Sequence, residues 1–380
     1  MRWTEGLDCA LSVMLAAVAS TPFIGSQLWI KVLSPPSTGK TSLCEAVAVA
    51  ERYVVAKSTV RGFHSGMKGG GGEKSLIDLI RHKTLVTKDG DSLLQSPNLA
   101  QILSEGRDLF DGSSRSHYRN GEGLDYTGHR CTWILAGTKS LRAIDSSELG
   151  ERFLDCVIME DIDEDLEDEI AWRVANRASR HVGIESNGQA ASQYDPDLAE
   201  AMSLTAGYIE HLREVDRSVY DAVSIPEPAL RKITRLAKFV AFMRARPHPK
   251  TAEEDDGREF APRLVEQHVR LAKCLAVVLN HEKVDREILL RVKKVALDTG
   301  RGKTLKLAAK LYANEGGFEI KSLALHLNEP EDKARAYLRF LRRIGVVEIV
   351  ESKANAMLRT TQRRYVLTAR MRRLYAEVVD

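Results

Sequence analysis

Nine consecutive residues, Ser34-Pro35-Pro36-Ser37-Thr38-Gly39-Lys40-Thr41-Ser42, have the residue types of a phosphate cradle. Successive backbone N–H groups and the start of a helix attract phosphate oxygens. Gly39 lets the backbone come close, Lys40 brings a cation to the outer phosphates, and Thr41 offers a hydroxyl to magnesium. The pattern departs from G-x-x-x-x-G-K-S/T at its first position, where Ser34 replaces glycine. That glycine eases the turn off a strand. A serine followed by two prolines makes the same turn as long as φ stays negative. The expected ligands are ATP and Mg2+.

A triphosphate site also needs an acid and a polar sensor. The acid comes from "TLVTKDGDSLL", where Lys88, Asp89, Gly90 and Asp91 follow an apolar run. Either Asp89 serves magnesium and Asp91 positions the attacking water, or Lys88 has replaced the magnesium acid and Asp89 handles the water. A third reading leaves Asp91 as a cap on "SLLQS". Thr138, at the end of "CTWILAG", is the candidate sensor of the outer phosphate. Arg152, in "SSELGERFLD", is a candidate arginine finger for a neighbouring copy's nucleotide. The alternative for Arg152 is a surface pair with Glu148 or Glu151.

These residues need a frame. Five short apolar runs, 28–33, 53–56, 84–87, 131–137 and 154–159, recur with helix-like segments between most of them. Runs apolar on both faces predict an α/β fold with a five-stranded parallel sheet over residues 1–160. The cradle then falls between the first strand and the helix "KTSLCEAVAVAE". Residues 161–300 read as a helical lid and 301–380 as three helices and a two-stranded wing, a winged helix.

Two loops and the C-terminal segment carry candidates for DNA contact. "SHYRNGEGLDYTGHR" holds an Asn120-Gly121 hairpin turn with Arg119 at its tip and Arg115, His117 and Tyr118 behind. The glycine-rich stretch 62–75 carries Lys68 and Lys74, and reads as a second pore loop or as a flexible insertion. Residues 301–380 hold 17 Lys and Arg against 9 Asp and Glu. Lys333, Arg335, Arg339 and Arg342 lie on the third helix of that segment, and Lys353, Arg359, Arg363 and Arg364 lie in the wing. Such a cluster suits phosphate contacts.

The 380 residues allow two or three domains, and the formal net charge of +3 decides nothing by itself. The acidic run 160–169 reads as solvated surface. Five cysteines show no metal-ligand spacing, which points to buried thiols in a reducing compartment. The apolar segment 7–20 is too short to span a bilayer and places Leu7, Leu11, Met14, Leu15 and Val18 at helical spacing. A cytoplasmic protein without membrane contact is expected.

Several motifs resemble those of the AAA+ ATPases, and within them the MCM replicative helicases and their shorter relatives on phages, plasmids and mobile islands. "SHYRNG" is similar to the pre-sensor hairpin, "GERF" to the finger motif, and "TRLAKFVAFMRAR" to the lid helix. "WIKVLSPPSTGKT", "KTLVTKDGDSLL" and "RDLFDG" are similar to phage and plasmid ATPases that end in a winged helix. The resemblance implies a ring oligomer, a hexamer in that family, that translocates on DNA as a helicase with Arg119 on the strand. A primase or other replication partner is a candidate companion that the sequence does not decide. The alternative is a nucleotide-switched loader or regulator that binds DNA without unwinding it. In the resemblance the lid's sensor arginine falls near Pro228, so its role is absent or has moved to Arg231.

Overall fold

The computed structural model describes residues 5–64, 75–117, 123–146, 152–159, 164–180, 196–245, 258–300, 302–355 and 360–379. The described chain packs as two compact units. One comprises residues 1–224 and 270–291, the other 225–269 and 292–380.

The first unit is built on a parallel sheet. Its strands are β1 (Trp29–Leu33), β2 (Val54–Lys57), β3 (Thr84–Thr87), β6 (Thr132–Gly137) and β7 (Phe153–Val157), in the spatial order β2-β3-β6-β1-β7. Strands β4 (Ser113–His117) and β5 (Gly123–Thr127) form a separate antiparallel pair between β3 and β6 in sequence. All five runs read from the sequence are thus strands, within a residue or two at their ends. They are legible because both faces are covered. On one face Trp29 packs edge to face with Phe110 and Trp133, and Trp133 does so with Phe63 and Phe153.

The helices of this unit begin with α1 (Glu5–Ser20), α2 (Lys40–Ala48), the single turn α3 (Leu76–Leu79) and α4 (Leu99–Phe110). They continue with α5 (Glu164–Arg180), α6 (Pro196–Glu214) and α7 (Arg217–Ala222). Helix α1 is buried on every side from Ser12 to Ser20, more than the single stripe its spacing suggests. A helix apolar all round belongs in a core. Part of the acidic run opens α5, where Glu164, Asp165 and Glu167 meet the helix dipole favourably.

The second unit holds α8 (Glu227–Met243), and the unit boundaries fall inside α9 (Pro262–Val278) and α10 (Arg286–Thr299). It continues with α11 (Lys303–Ala313), α12 (Ile320–Leu327), α13 (Glu331–Arg343), β8 (Val347–Asn355), β9 (Thr360–Leu367) and α14 (Ala369–Val379). Strands β8 and β9 pair antiparallel. Phe318 adds a bridge to Tyr365, with reciprocal bonds of 3.1 and 2.9 Å. Gly317 makes that approach possible: its φ is +68°, and a Cβ there would lie 2.5 Å from the Tyr365 carbonyl. Helix α14 is absent from the sequence reading. It packs on α8 through Phe239 and Tyr375, with Arg235 and Glu377 paired at 3.2 Å.

Among the described residues no helix is long and apolar enough to cross a membrane. All five cysteines are buried, and none of them is in a disulfide.

Candidate nucleotide site

The strand order decides what meets what. Strand β6 lies between β1 and β3, so three strand ends sit side by side at one edge of the sheet. Three backbone bonds carry the ladder past those ends. Ser34 N–H donates to Gly137 O at 3.2 Å, Gly90 N–H to Ala136 O at 2.8 Å, and Ile158 N–H to Leu33 O at 2.9 Å. In open parallel sheets such an edge, at the point where the chain reverses its winding, is where ligands bind.

The loop at the end of β1 is tied to itself. Ser34 is buried, and its hydroxyl lies 2.6 Å from that of Thr38. The Thr38 hydroxyl also reaches the Pro35 carbonyl at 2.9 Å. Ser34 is not among the positive-φ residues, so the serine makes its turn as the sequence requires. The left-handed positions are Ser37 (φ 63°) and Gly39 (φ 95°), and Gly39 caps α2. The strain at Ser37 was not visible in the sequence.

Lys40, the first residue of α2, curls back over the loop. Its Nζ donates to the Ser34 carbonyl at 2.7 Å and to the Pro35 carbonyl at 2.5 Å. Burial lowers its pKa, while the nearby Asp91 carboxylate raises it. Thr41 and Ser42 present exposed hydroxyls on the same turn. Pro36 is exposed beside Ser37 at the crest of the loop.

The two aspartates of "KDGD" take different partners. Asp89 is exposed, and its carboxylate accepts from Ser92 N–H at 3.3 Å, capping the 3-10 turn Asp91–Gln95. Asp91 turns to the end of β6. Its Oδ2 accepts the Thr138 N–H at 2.8 Å, and its Oδ1 takes the hydroxyls of Thr138 (2.9 Å) and Ser140 (2.6 Å). The cap on "SLLQS" is therefore Asp89, and Asp91 is joined to the sensor candidate. Lys88 crosses to α2, where its Nζ lies 3.3 Å from Glu45 Oε1.

Arg152 sits at the start of β7. Trp29 pairs with Phe153 and Leu33 with Val157, so Arg152 lies at the opposite edge of the sheet from the loop. A five-residue strand separates the two edges by about 13 Å. Arg152 pairs with Asp111 at 3.1 Å and lies 5.5 Å from the Phe110 ring. Asp111, at the C-cap of α4, is thus a partner of Arg152 among the described residues; Glu148 and Glu151 lie outside them.

The other candidates are scattered. Arg231 belongs to the second unit, where it is exposed and pairs with Glu227 on its own helix at 2.5 Å. Arg115 and His117 lie in β4, opposite Asp125 and Gly123. Arg119, Lys68 and Arg359 lie outside the described residues. Lys333, Arg335, Arg339 and Arg342 are exposed along α13, with Arg335 held by Glu331 at 2.6 Å. Arg363 on β9 pairs with Glu351 on β8 at 3.0 Å.

Glu45, Ser140 and Asp111 went unnoticed in the sequence. Glu45 had a signal: it stands four residues after Thr41, on the same helix face.

Phosphates fit this edge. A left-handed glycine, a half-buried lysine and two exposed hydroxyls open a helix of nine residues. A divalent ion held by Thr41 and a strand-end carboxylate fits poorly. The strand-end side chain that reaches α2 is a lysine, Asp89 caps a turn, and Asp91 is committed to Thr138 and Ser140. Comparison with protein-family models and with curated proteins finds no match for this chain.

Proposed function

We propose that the chain is an ATPase of the AAA+ type that assembles head to tail and acts on DNA. The observation that carries this reading is the separation between the sheet's two edges. The loop, Lys40, Asp91 and Thr138 occupy one edge, and Arg152 the other. An arginine at the far edge completes a phosphate site only in another copy. A contact of this kind joins unlike surfaces, and repetition closes a ring.

In this reading Lys40 leaves the Ser34 and Pro35 carbonyls for the outer phosphates. Thr138, oriented by Asp91, holds the attacking water beside them. Arg152 of the next copy, released from Asp111, spreads the charge that develops on the transferred group. Such a residue is worth about 10³–10⁵ in rate. Strand β6 links the site to the hairpin, because only residues 128–131 separate it from β5. A shift at Thr138 is thereby passed to the hairpin that bears Arg119, the residue proposed to grip the DNA backbone. Helix α13 and the β8–β9 wing supply a second basic surface, used as a winged helix.

Hydrolysis by mixed oligomers tests the reading. Lys40→Ala and Arg152→Ala are each expected to be inactive alone. Mixed, they form some interfaces with both residues intact and regain part of the activity. No recovery would remove the finger acting in trans. A second reading, a nucleotide-driven switch that binds DNA without unwinding it, draws on the Lys88–Glu45 pair beside the loop. Strand displacement by the wild-type chain separates the two.

A further inference from the structure

The Lys88–Glu45 pair is the feature of the nucleotide edge that the mechanism above leaves unused. Glu45 lies one helical turn below Thr41, on the same face of α2. Lys88 reaches that face from the end of β3 and rests 3.3 Å from the Glu45 carboxylate. Both side chains keep access to solvent, at 31% and 40% exposure, so the pair can open. Lys40 opens the same helix, with its ammonium on the Ser34 and Pro35 carbonyls of the loop. Both ammonium groups act on the buried Cys44 thiol of that helix: burial pushes its pKa up to about 12 and Glu45 raises it, while Lys88 and Lys40 pull it down. Two positive charges therefore flank the first turns of α2. The divalent ion of a phosphate loop is ordinarily held by the Ser or Thr hydroxyl and a strand-end acid. Here the strand end sends a cation to the helix face one turn below that hydroxyl.

We propose that Lys88 supplies the second positive charge at the bound phosphates, the place a divalent ion takes in other phosphate loops, with Glu45 holding it there until nucleotide arrives. The inference rests on the nucleotide reading above. A lysine suits this role because its ammonium is a compact point charge on a flexible stem, able to leave a carboxylate for a phosphate oxygen. It also repels a divalent cation from the space beside Thr41.

The test is ATP affinity of the full chain by calorimetry, in excess magnesium and in EDTA. The wild type is expected to bind in both buffers, within about threefold. Lys88→Ala is expected to lose about tenfold or more in EDTA and to recover most of that in magnesium. Lys88→Arg, which keeps the charge, is expected to bind in EDTA as the wild type does. Lys88→Asp, which restores an acid at the strand end, is expected to bind only with magnesium. Wild-type binding confined to the magnesium buffer overturns the inference and leaves the nucleotide reading standing. Equal affinity of wild type and a folded Lys88→Ala in EDTA overturns it as well. Absence of binding in both buffers removes the nucleotide reading and this inference together.

Discussion

Lys31 carries its charge in the middle of a parallel sheet, fully buried, on the strand that leads into the loop. The sequence "LWIKVL" reads as an apolar run with one misfit, and the structure shows what tolerates it. Asp155 on β7 lies 3.0 Å from Lys31 on one oxygen and 3.0 Å from Arg142 on the other. Arg142 belongs to the 3-10 segment that follows Thr138, so this network braces the site from below. Removing one partner of a buried pair leaves an uncompensated charge, and Asp155→Ala is expected to cost about 3–5 kcal/mol. Urea unfolding measures it. The double change Lys31→Met and Asp155→Leu should recover much of the loss, because well-packed apolar residues often replace such pairs at little cost. The partners themselves were not legible, since Asp155 and Lys31 are 124 positions apart in the chain. The loop residues were legible because their order is fixed by one local turn. The roles of Asp89 and Asp91 were not, since they depend on whether a side chain turns toward its own turn or toward β6.

At the level of elements, strands were easier to read than helices. A strand covered on both faces announces itself as an apolar run, and β1, β3 and β6 are such strands. Helix α14 escaped notice, although Met371, Tyr375 and Val378 are all buried along one face. Helix α13 was legible from end to end. It begins with Glu331 and Asp332 and ends with Arg342 and Arg343, as the helix dipole favours. Its exposed lysine and arginines give a measurable expectation. If they take phosphates, Lys333→Ala and Arg339→Ala should each reduce the slope of log affinity against log salt by about 1, with little change in sequence preference. Filter binding of the full chain across a salt series reads this directly. Unchanged slopes would assign that helix to protein contacts.

For the molecule as a whole, two buried histidines tie stability to acidity, one in each unit. Burial holds His129 at a pKa of about 4, with Arg81 and His82 adding repulsion. Burial likewise holds His268 at about 4, against the Leu264 carbonyl, and Arg244 lowers it further. Both are neutral in the folded chain. In the unfolded chain they titrate near 6.5, so below that pH the unfolded state binds more protons. Stability from these groups is complete above about pH 6.5 and is lost as pH falls toward 4, on the order of 3 kcal/mol for each. Denaturant midpoints at pH 7 and pH 5 check this, and His129→Phe and His268→Leu should each flatten the dependence. Neither role was visible in the sequence, because a histidine's titration depends on what covers it.

The position of Arg152 bears on how the protein behaves in a population. Asp111 and Phe110 fix it at one rim of the sheet, while Lys40 marks the other. In the ring proposed above, each copy owns half of two different catalytic centres and the whole of none. That proposal predicts that turnover per copy falls on dilution, and that a minority of defective copies silences more partners than their own number.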